Sequence, residues 1–169
     1  MSFRRIEDAP NGRTALVRVD FNVPMAAGKV SDDTRLRAAL PTIRALQAKG
    51  ARIALLAHFD RPKGKRVPEM SLSQILPALA QALESVDGLL FVDDCIGDGV
   101  RTAISALRPG GVVLLENVRF HAGEEANDPA FAKALAANFD FYVNDAFSAA
   151  HRAHASTEGV AHLLPAYAG

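Results

Sequence analysis

"RIALLAHFDRPKG", residues 52 to 64, decides the fold. From Ile53 to Ala57 it is apolar without alternation, the pattern of a strand covered on both faces rather than one with a wet side. At His58 the chain changes character and becomes a basic, proline-containing loop with Asp60, Arg61, Lys63 and Gly64. Four other runs behave in the same way: "TALVRV" (14 to 19), "LLFV" (89 to 92), "GVVLL" (111 to 115) and "FDFYV" (139 to 143). Between them lie segments with helical periodicity. "SDDTRLRAALPTIRALQAKG" (31 to 50) has Leu36, Leu40, Ile43 and Leu46 on one face, and Pro41 is expected to bend it. "SLSQILPALAQALES" (71 to 85) opens with Ser71 and Gln74 at capping-box spacing. "GDGVRTAISALRPGG" (97 to 111) and "NDPAFAKALAANF" (127 to 139) complete the set. Strand and helix alternate throughout, which implies right-handed βαβ units. The expected fold is one α/β domain over residues 1–169: a Rossmann-like, mainly parallel sheet in a three-layer αβα arrangement.

Bulk composition narrows the function classes. In 169 residues, nineteen basic and nineteen acidic side chains cancel, so no global field draws the chain to nucleic acid or a membrane surface. Any affinity for anions has to be local. The longest apolar stretches are too short to cross a bilayer, and "MSFRRIEDAP" has no apolar core of a secretory signal. One cysteine, Cys95, excludes an internal disulfide framework and fits a reducing cytoplasm; with scattered histidines it gives no structural zinc pattern.

In open parallel sheets, ligands sit beyond the carboxyl ends of the strands, where the loops converge. The five strand ends supply Asp20 and Asn22; His58 and Arg61; Asp93 and Asp94; Glu116, Asn117, Arg119 and His121; and Asn144 and Asp145, followed by His151, Arg152 and His154 in "FYVNDAFSAAHRAHAS" (141 to 156). Small residues around that last group leave room for a ligand. Three arginines on three loops at one sheet edge repel each other, and an anion offsets that repulsion; the guanidinium fork matches phosphate or carboxylate. Arg35 joins them if the 31 to 50 helix begins at the same edge.

Each residue alone has a plainer reading. Arg61 and Lys63 could solvate a loop, Arg119 could pair with Glu116 or Glu124, and His151 and His154 could be structural. "GDGVRT" lacks the third glycine of a dinucleotide fingerprint and reads as a helix start, and no P-loop occurs. The residues by themselves point to an α/β domain that binds a small phosphorylated or carboxylated molecule. The alternatives are a stand-alone phosphometabolite-binding module and a structural domain whose basic loops hold a polyanion.

Six ordered motifs resemble the N-terminal domain of the phosphoglycerate kinase family: "VRVDFNVP", "DDTRLRAALPTI", "HFDRPKG", "FVDDCIG", "LLENVRFHAGEEANDPAFAKALA" and "YVNDAFSAAHRAHAS". The resemblance implies a glycolytic kinase that moves a phosphoryl group reversibly between ATP and 3-phosphoglycerate, giving 1,3-bisphosphoglycerate. It implies that Asp20, Phe21, Asn22, His58, Phe59, Asp60, Arg61, Arg119 and Arg152 hold the glycerate substrate. Arg35 would both touch the substrate and stabilise the phosphoryl group in transfer. Mg-ATP or Mg-ADP would bind a C-terminal domain that lies beyond "LLPAYAG", so this chain is expected to carry no cofactor or metal and to be inactive alone. A cytoplasmic monomer without nucleic-acid or membrane partners is expected. Two departures stand out: His58-Phe59-Asp60-Arg61 where the family commonly has His-Leu-Gly-Arg, and Ser148-Ala149 where it commonly has Gly-Thr.

Overall fold

Strands that are apolar on both faces need a helical layer on each side, and the computed structural model has that arrangement. It describes residues 3–85, 89–146 and 152–169. In chain order the elements are β1 (Arg4–Arg5), β2 (Thr14–Val19), β3 (Met25–Ala26), β4 (Lys29–Val30), α1 (Thr34–Ala38), α2 (Leu40–Ala48), β5 (Arg52–Leu56), α3 (Leu76–Ala82), β6 (Leu90–Val92), α4 (Asp98–Ala106), β7 (Val112–Leu115), α5 (Ala122–Glu125), α6 (Pro129–Ala136), β8 (Phe141–Asp145), α7 (Val160–Leu163) and β9 (Ala166–Ala168). Seven strands form one sheet in the order β1-β9-β8-β2-β5-β7-β6, and each of its pairings is parallel. β3 and β4 make a separate antiparallel ribbon.

Period-two alternation divides each central strand between two cores. Val17, Val19, Ile53 and Leu55 face one core with Leu36 of α1, Ile43 and Leu46 of α2, and Leu79 of α3. Leu16, Ala54 and Leu56 face the other with Val100 of α4, Phe131 and Leu135 of α6, and Val160 of α7. The three-layer αβα expectation therefore holds. All five expected strands are present; β1 and β9 add a short edge beyond them.

The helices differ in detail. The segment 31 to 50 is two helices, not one bent helix: α1 ends at Ala38 and α2 begins at Leu40, with Pro41 in its first turn. Proline has no N–H for a carbonyl of the preceding turn, so the break falls where its ring is tolerated. Ser71 caps the following turn by accepting from Ser73 N (3.1 Å), but Gln74 donates to the carbonyls of Glu69 and Ser71. The reciprocal half of the expected box is therefore not made.

Four adjacent strands, β8-β2-β5-β7, feed the loops that matter. At about 4.8 Å per strand they span about 14 Å, within reach of one small ligand. β6 sits at the sheet edge, which carries Asp93 and Asp94 away from that centre. Leu36, wholly buried beneath the helix that carries Arg35, tests this packing. Leu36→Ala is expected to lower unfolding free energy by about 2–5 kcal/mol in urea denaturation, the cost of a large-to-small change in a closed core.

Candidate functional site

The loop after β2 turns back on itself: Asn22 N donates to Asp20 Oδ1 (3.3 Å), and Asn22 Oδ1 accepts from Asp60 N (3.0 Å) in the loop after β5. Arg35, in the first turn of α1, reaches over this turn and donates through Nη1 to Asn22 O (2.6 Å) and Asp20 Oδ1 (3.3 Å). The condition attached to Arg35 is thus met, because α1 begins at the same edge as the strand-end loops.

Asn117 joins the loops after β5 and β7. Its Oδ1 accepts from Phe59 N (3.2 Å) and Arg119 N (3.0 Å), and its Nδ2 donates to Phe59 O (2.6 Å) and Met70 O (3.0 Å). Glu116 does similar work one residue earlier, accepting from Leu72 N (2.9 Å), Asn117 N (2.8 Å) and Ser71 Oγ (2.6 Å). Gly64 closes the basic loop onto Arg119, whose carbonyl accepts from Gly64 N (3.0 Å). Its φ of +78° and the 2.9 Å that would separate a Cβ from Ala122 Cα leave no residue but glycine there.

These loops enclose a cavity of about 260 Å³ lined by Asp20, Asn22, Arg35, His58, Asp60, Arg61, Arg119 and Arg152. Eight of the ten residues that the family resemblance assigns to the substrate thus share one hollow. The other two, Phe21 and Phe59, are buried in the core and are not among the residues that line the hollow. Asn144 turns inward to accept from Ala146 N, Glu116 braces loops, and His121 stacks on Phe131 while bonded to Asp94. His154 lies below, 3.8 Å from Glu124. His151, Ser148 and Ala149 fall outside the described residues. A larger hollow of about 670 Å³ opens at the amino ends of β6 and β7, but its Arg44 is engaged with Gln47 and the Leu83 carbonyl, and Gln47 with the Gly110 carbonyl.

Four guanidinium groups against two carboxylates leave the 260 Å³ cavity with an excess of positive charge. Arg119 shows it most clearly. Its Nε is buried and finds no hydrogen-bond partner among the described residues. Burial lowers its pKa, Glu125 and Glu124 oppose that, and Arg152 and Arg61 reinforce it. The plainer reading, a pairing of Arg119 with Glu116 or Glu124, is not made; Glu116 bridges loops and Glu124 holds Ser156. His58 stays neutral: burial first, then the charges of Arg18, Arg119, Arg152 and His154, push it from 6.5 down to about 2. With so many fixed cations and no anionic cage, this donor set suits an anion and repels a metal ion.

The family model for phosphoglycerate kinase matches residues 6–169. The chain belongs to the phosphoglycerate kinase family. It is 65% identical over 170 residues to the phosphoglycerate kinase of Caulobacter vibrioides (strain NA1000 / CB15N), covering 100% of this chain and 42% of that protein. With the enzyme of Methylobacterium radiotolerans it shares 58% identity, with 99% and 42% covered. The structure of phosphoglycerate kinase from Coxiella burnetii superposes with a TM-score of 0.86 at 36% identity, covering 99% of this chain and 41% of that one. The crystal structure of the kinase from Pyrococcus horikoshii OT3 gives 0.86 at 32% identity, with 99% and 42% covered. The chain thus spans about two fifths of the length of the relatives it matches.

Sequence reasoning missed the buried Arg18 and Ser156 and offered Glu124 only as a partner for Arg119. A charged residue inside the apolar run "TALVRV" was the available signal for the first, since arginine is almost never fully buried unless paired.

Asp60 occupies the position where the family commonly has glycine, and its φ is +58°. Asp60 Oδ1 accepts from Arg61 N (3.0 Å), which eases a conformation that side chains disfavour. Asp60→Gly relaxes that turn and removes a carboxylate from the cavity wall. Inorganic phosphate, titrated calorimetrically at low salt, is expected to bind the variant about 1 kcal/mol more tightly, roughly fivefold.

His58 also sets a pH dependence. The unfolded chain takes up a proton on this ring below about 6.5, while the folded chain resists down to about 2, so stability is present above 6.5 and falls as pH drops below it. Urea denaturation from pH 7 to 5 should show a slope that His58→Gln flattens by up to about 1.4 kcal/mol per pH unit.

Proposed function

We propose that this chain is the glycerate-binding domain of a glycolytic phosphoglycerate kinase, acting in the cytoplasm as part of a monomer whose C-terminal domain binds Mg-ATP or Mg-ADP. The observation that carries the proposal is the meeting of Arg35, Arg61, Arg119 and Arg152, far apart in sequence, at one 260 Å³ cavity. Its size and charge suit a three-carbon acid that bears a phosphate. In this reading Arg61, Arg119, Arg152 and His58 hold the phosphate and neighbouring oxygens, and Asp20 and Asn22 address the hydroxyl and carboxylate region.

The chemistry then asks little of any side chain as a base. The substrate carboxylate, with a reference pKa near ~3.5, is ionised at neutral pH and is itself the nucleophile. One carboxylate oxygen forms a bond to the γ-phosphorus of ATP while the bond to the β–γ bridging oxygen breaks, leaving ADP and an acyl phosphate; no proton moves. Among the described residues Arg35 is the one cavity arginine on an α-helix, and its Nη1 donates to the rim of the β2 loop. In this reading Arg35 leans toward the transferring phosphoryl group, where one arginine can be worth about 10³–10⁵ in rate. The acyl phosphate hydrolyses readily, so water has to be excluded, and closure of a second domain over the cavity supplies that.

Calorimetry tests the substrate assignment. The chain is expected to bind 3-phosphoglycerate, and Arg152→Ala to lose about 1.5–3 kcal/mol of that affinity, roughly 10- to 150-fold. Equal affinity in both proteins overturns it. In a coupled assay the chain alone should turn over no ATP, and added C-terminal domain should restore turnover.

A further inference from the structure

Among the described residues the largest side chain wholly removed from solvent is charged: Arg18, on the β2 face opposite Val17 and Val19. Each of its three polar ends is engaged. Nη1 donates to Val19 O (2.7 Å), Nε donates to Ser156 Oγ (2.9 Å), and Nη2 lies 2.7 Å from His58 Nδ1. A guanidinium has five N–H donors and no acceptor, so the last bond has only one possible direction. Nδ1 must accept. A neutral imidazole whose Nδ1 accepts carries its proton on Nε2, and His58 is one of the residues that line the cavity.

What holds Arg18 in turn is Glu124, itself completely buried on α5. Ser156 stands between them and uses its hydroxyl both ways: Oγ accepts from Arg18 Nε and donates to Glu124 Oε2 (2.6 Å), while Ser156 N donates to Glu124 Oε1 (2.8 Å). Tyr142 fixes the same residue by donating from its hydroxyl to Ser156 O (2.8 Å). Burial works against the Arg18 charge, and Glu124 is the strongest influence that supports it.

We propose that Arg18, steadied by Ser156 and Glu124, is a positioning residue that locks His58 in the Nε2–H tautomer, so that the ring offers the cavity one neutral hydrogen-bond donor of fixed direction. Protonation at Nδ1 would set two donors head-on at 2.7 Å. The other groups around the ring, Arg119, Arg152 and His154, give no relief, since each also opposes a second proton there. A neutral donor orients an anionic oxygen without adding to the repulsion among four arginines. The role of that donor toward 3-phosphoglycerate rests on the function proposed above; the tautomer does not.

Long-range ¹⁵N–¹H correlation on the histidine-labelled chain reads the tautomer directly. Wild-type His58 should show a bare Nδ1 and a protonated Nε2, unchanged from pH 8 to pH 5; a protonated Nδ1, or titration near 6.5, overturns the proposal. Because this measurement needs no variant, a failure of Arg18→Met to fold leaves the test intact. Where the variants fold, Arg18→Met should leave His58 with mixed tautomers and titrating within that pH range. Ser156→Ala, which keeps the guanidinium but removes its Nε partner, should do the same to a smaller extent. A single Nε2–H tautomer in both variants also overturns the proposal. Addition of 3-phosphoglycerate separates the two readings: a locked tautomer with no change at Nε2 supports the role of Arg18 and counts against the substrate assignment alone.

Discussion

A full positive charge in the interior of an α/β domain is the constraint on which this site depends. Moving a guanidinium out of water costs several kcal/mol, and that cost is offset only where each nitrogen has a partner and a counter-charge stands near. Arg18 meets both conditions through Val19, His58, Ser156 and, at one remove, Glu124. The partners come from four parts of the chain: the end of β2, the start of the loop after β5, α5 beyond β7, and the turn that follows Arg152. Their demand for Arg18 therefore fixes the relative heights of the loops above it. A hydrophobic residue at position 18 could fill the space but could not impose that registration.

Above this buried layer the logic reverses. Arg61, Arg119 and Arg152 share one cavity although they repel, and their loops are braced largely by side chains bonded to backbone rather than to the guanidinium groups. Asn117 makes four hydrogen bonds to backbone atoms across two loops, and Gly64 lets the basic loop lie against Ala122. Backbone-directed bonds suit this task because they set position without cancelling charge. Had carboxylates gathered the arginines, the charge excess that favours a ligand would have been neutralised in advance. Preorganised charge of this kind is what lets a site stabilise a developing anion without reorganising during the reaction.

How much of this is legible in the sequence follows from the range over which each feature is decided. Continuous apolar runs such as Ile53–Ala57 report burial on both faces, a local property, and so the parallel sheet and its layers can be read directly. Arg61, Arg119 and Arg152 are legible for a related reason: each follows a strand, and topology alone sends strand ends to one edge, whereas Arg35 depends on where α1 begins. The break between α1 and α2 is half legible, since Pro41 announces a defect but tertiary packing decides between a bend and a stop. The edge strand β1 carries no signal in "RR", because its pairing with β9 depends on a partner more than 160 positions away. Arg18, Ser156 and Glu124 are the extreme case. Their function lies in a mutual geometry across 138 positions, and no local pattern distinguishes a buried serine that relays a hydrogen bond from one that fills a turn.

The departure at Asp60 shows how the two layers of the site limit each other. Its backbone adopts a left-handed conformation that glycine would take freely, and its carboxylate intrudes on a cavity built for anions. Both effects look adverse, yet the same residue donates its N–H to Asn22 and accepts from Arg61 N, so it ties the β2 loop to the β5 loop with directed bonds. Only the second bond needs the side chain. The first is a backbone contact that any residue at this φ preserves, which means that the inter-loop registration does not depend on aspartate at all. The carboxylate is therefore free to vary without disturbing the frame that Arg18 and Asn117 maintain, and its presence modulates the field of the cavity rather than its shape.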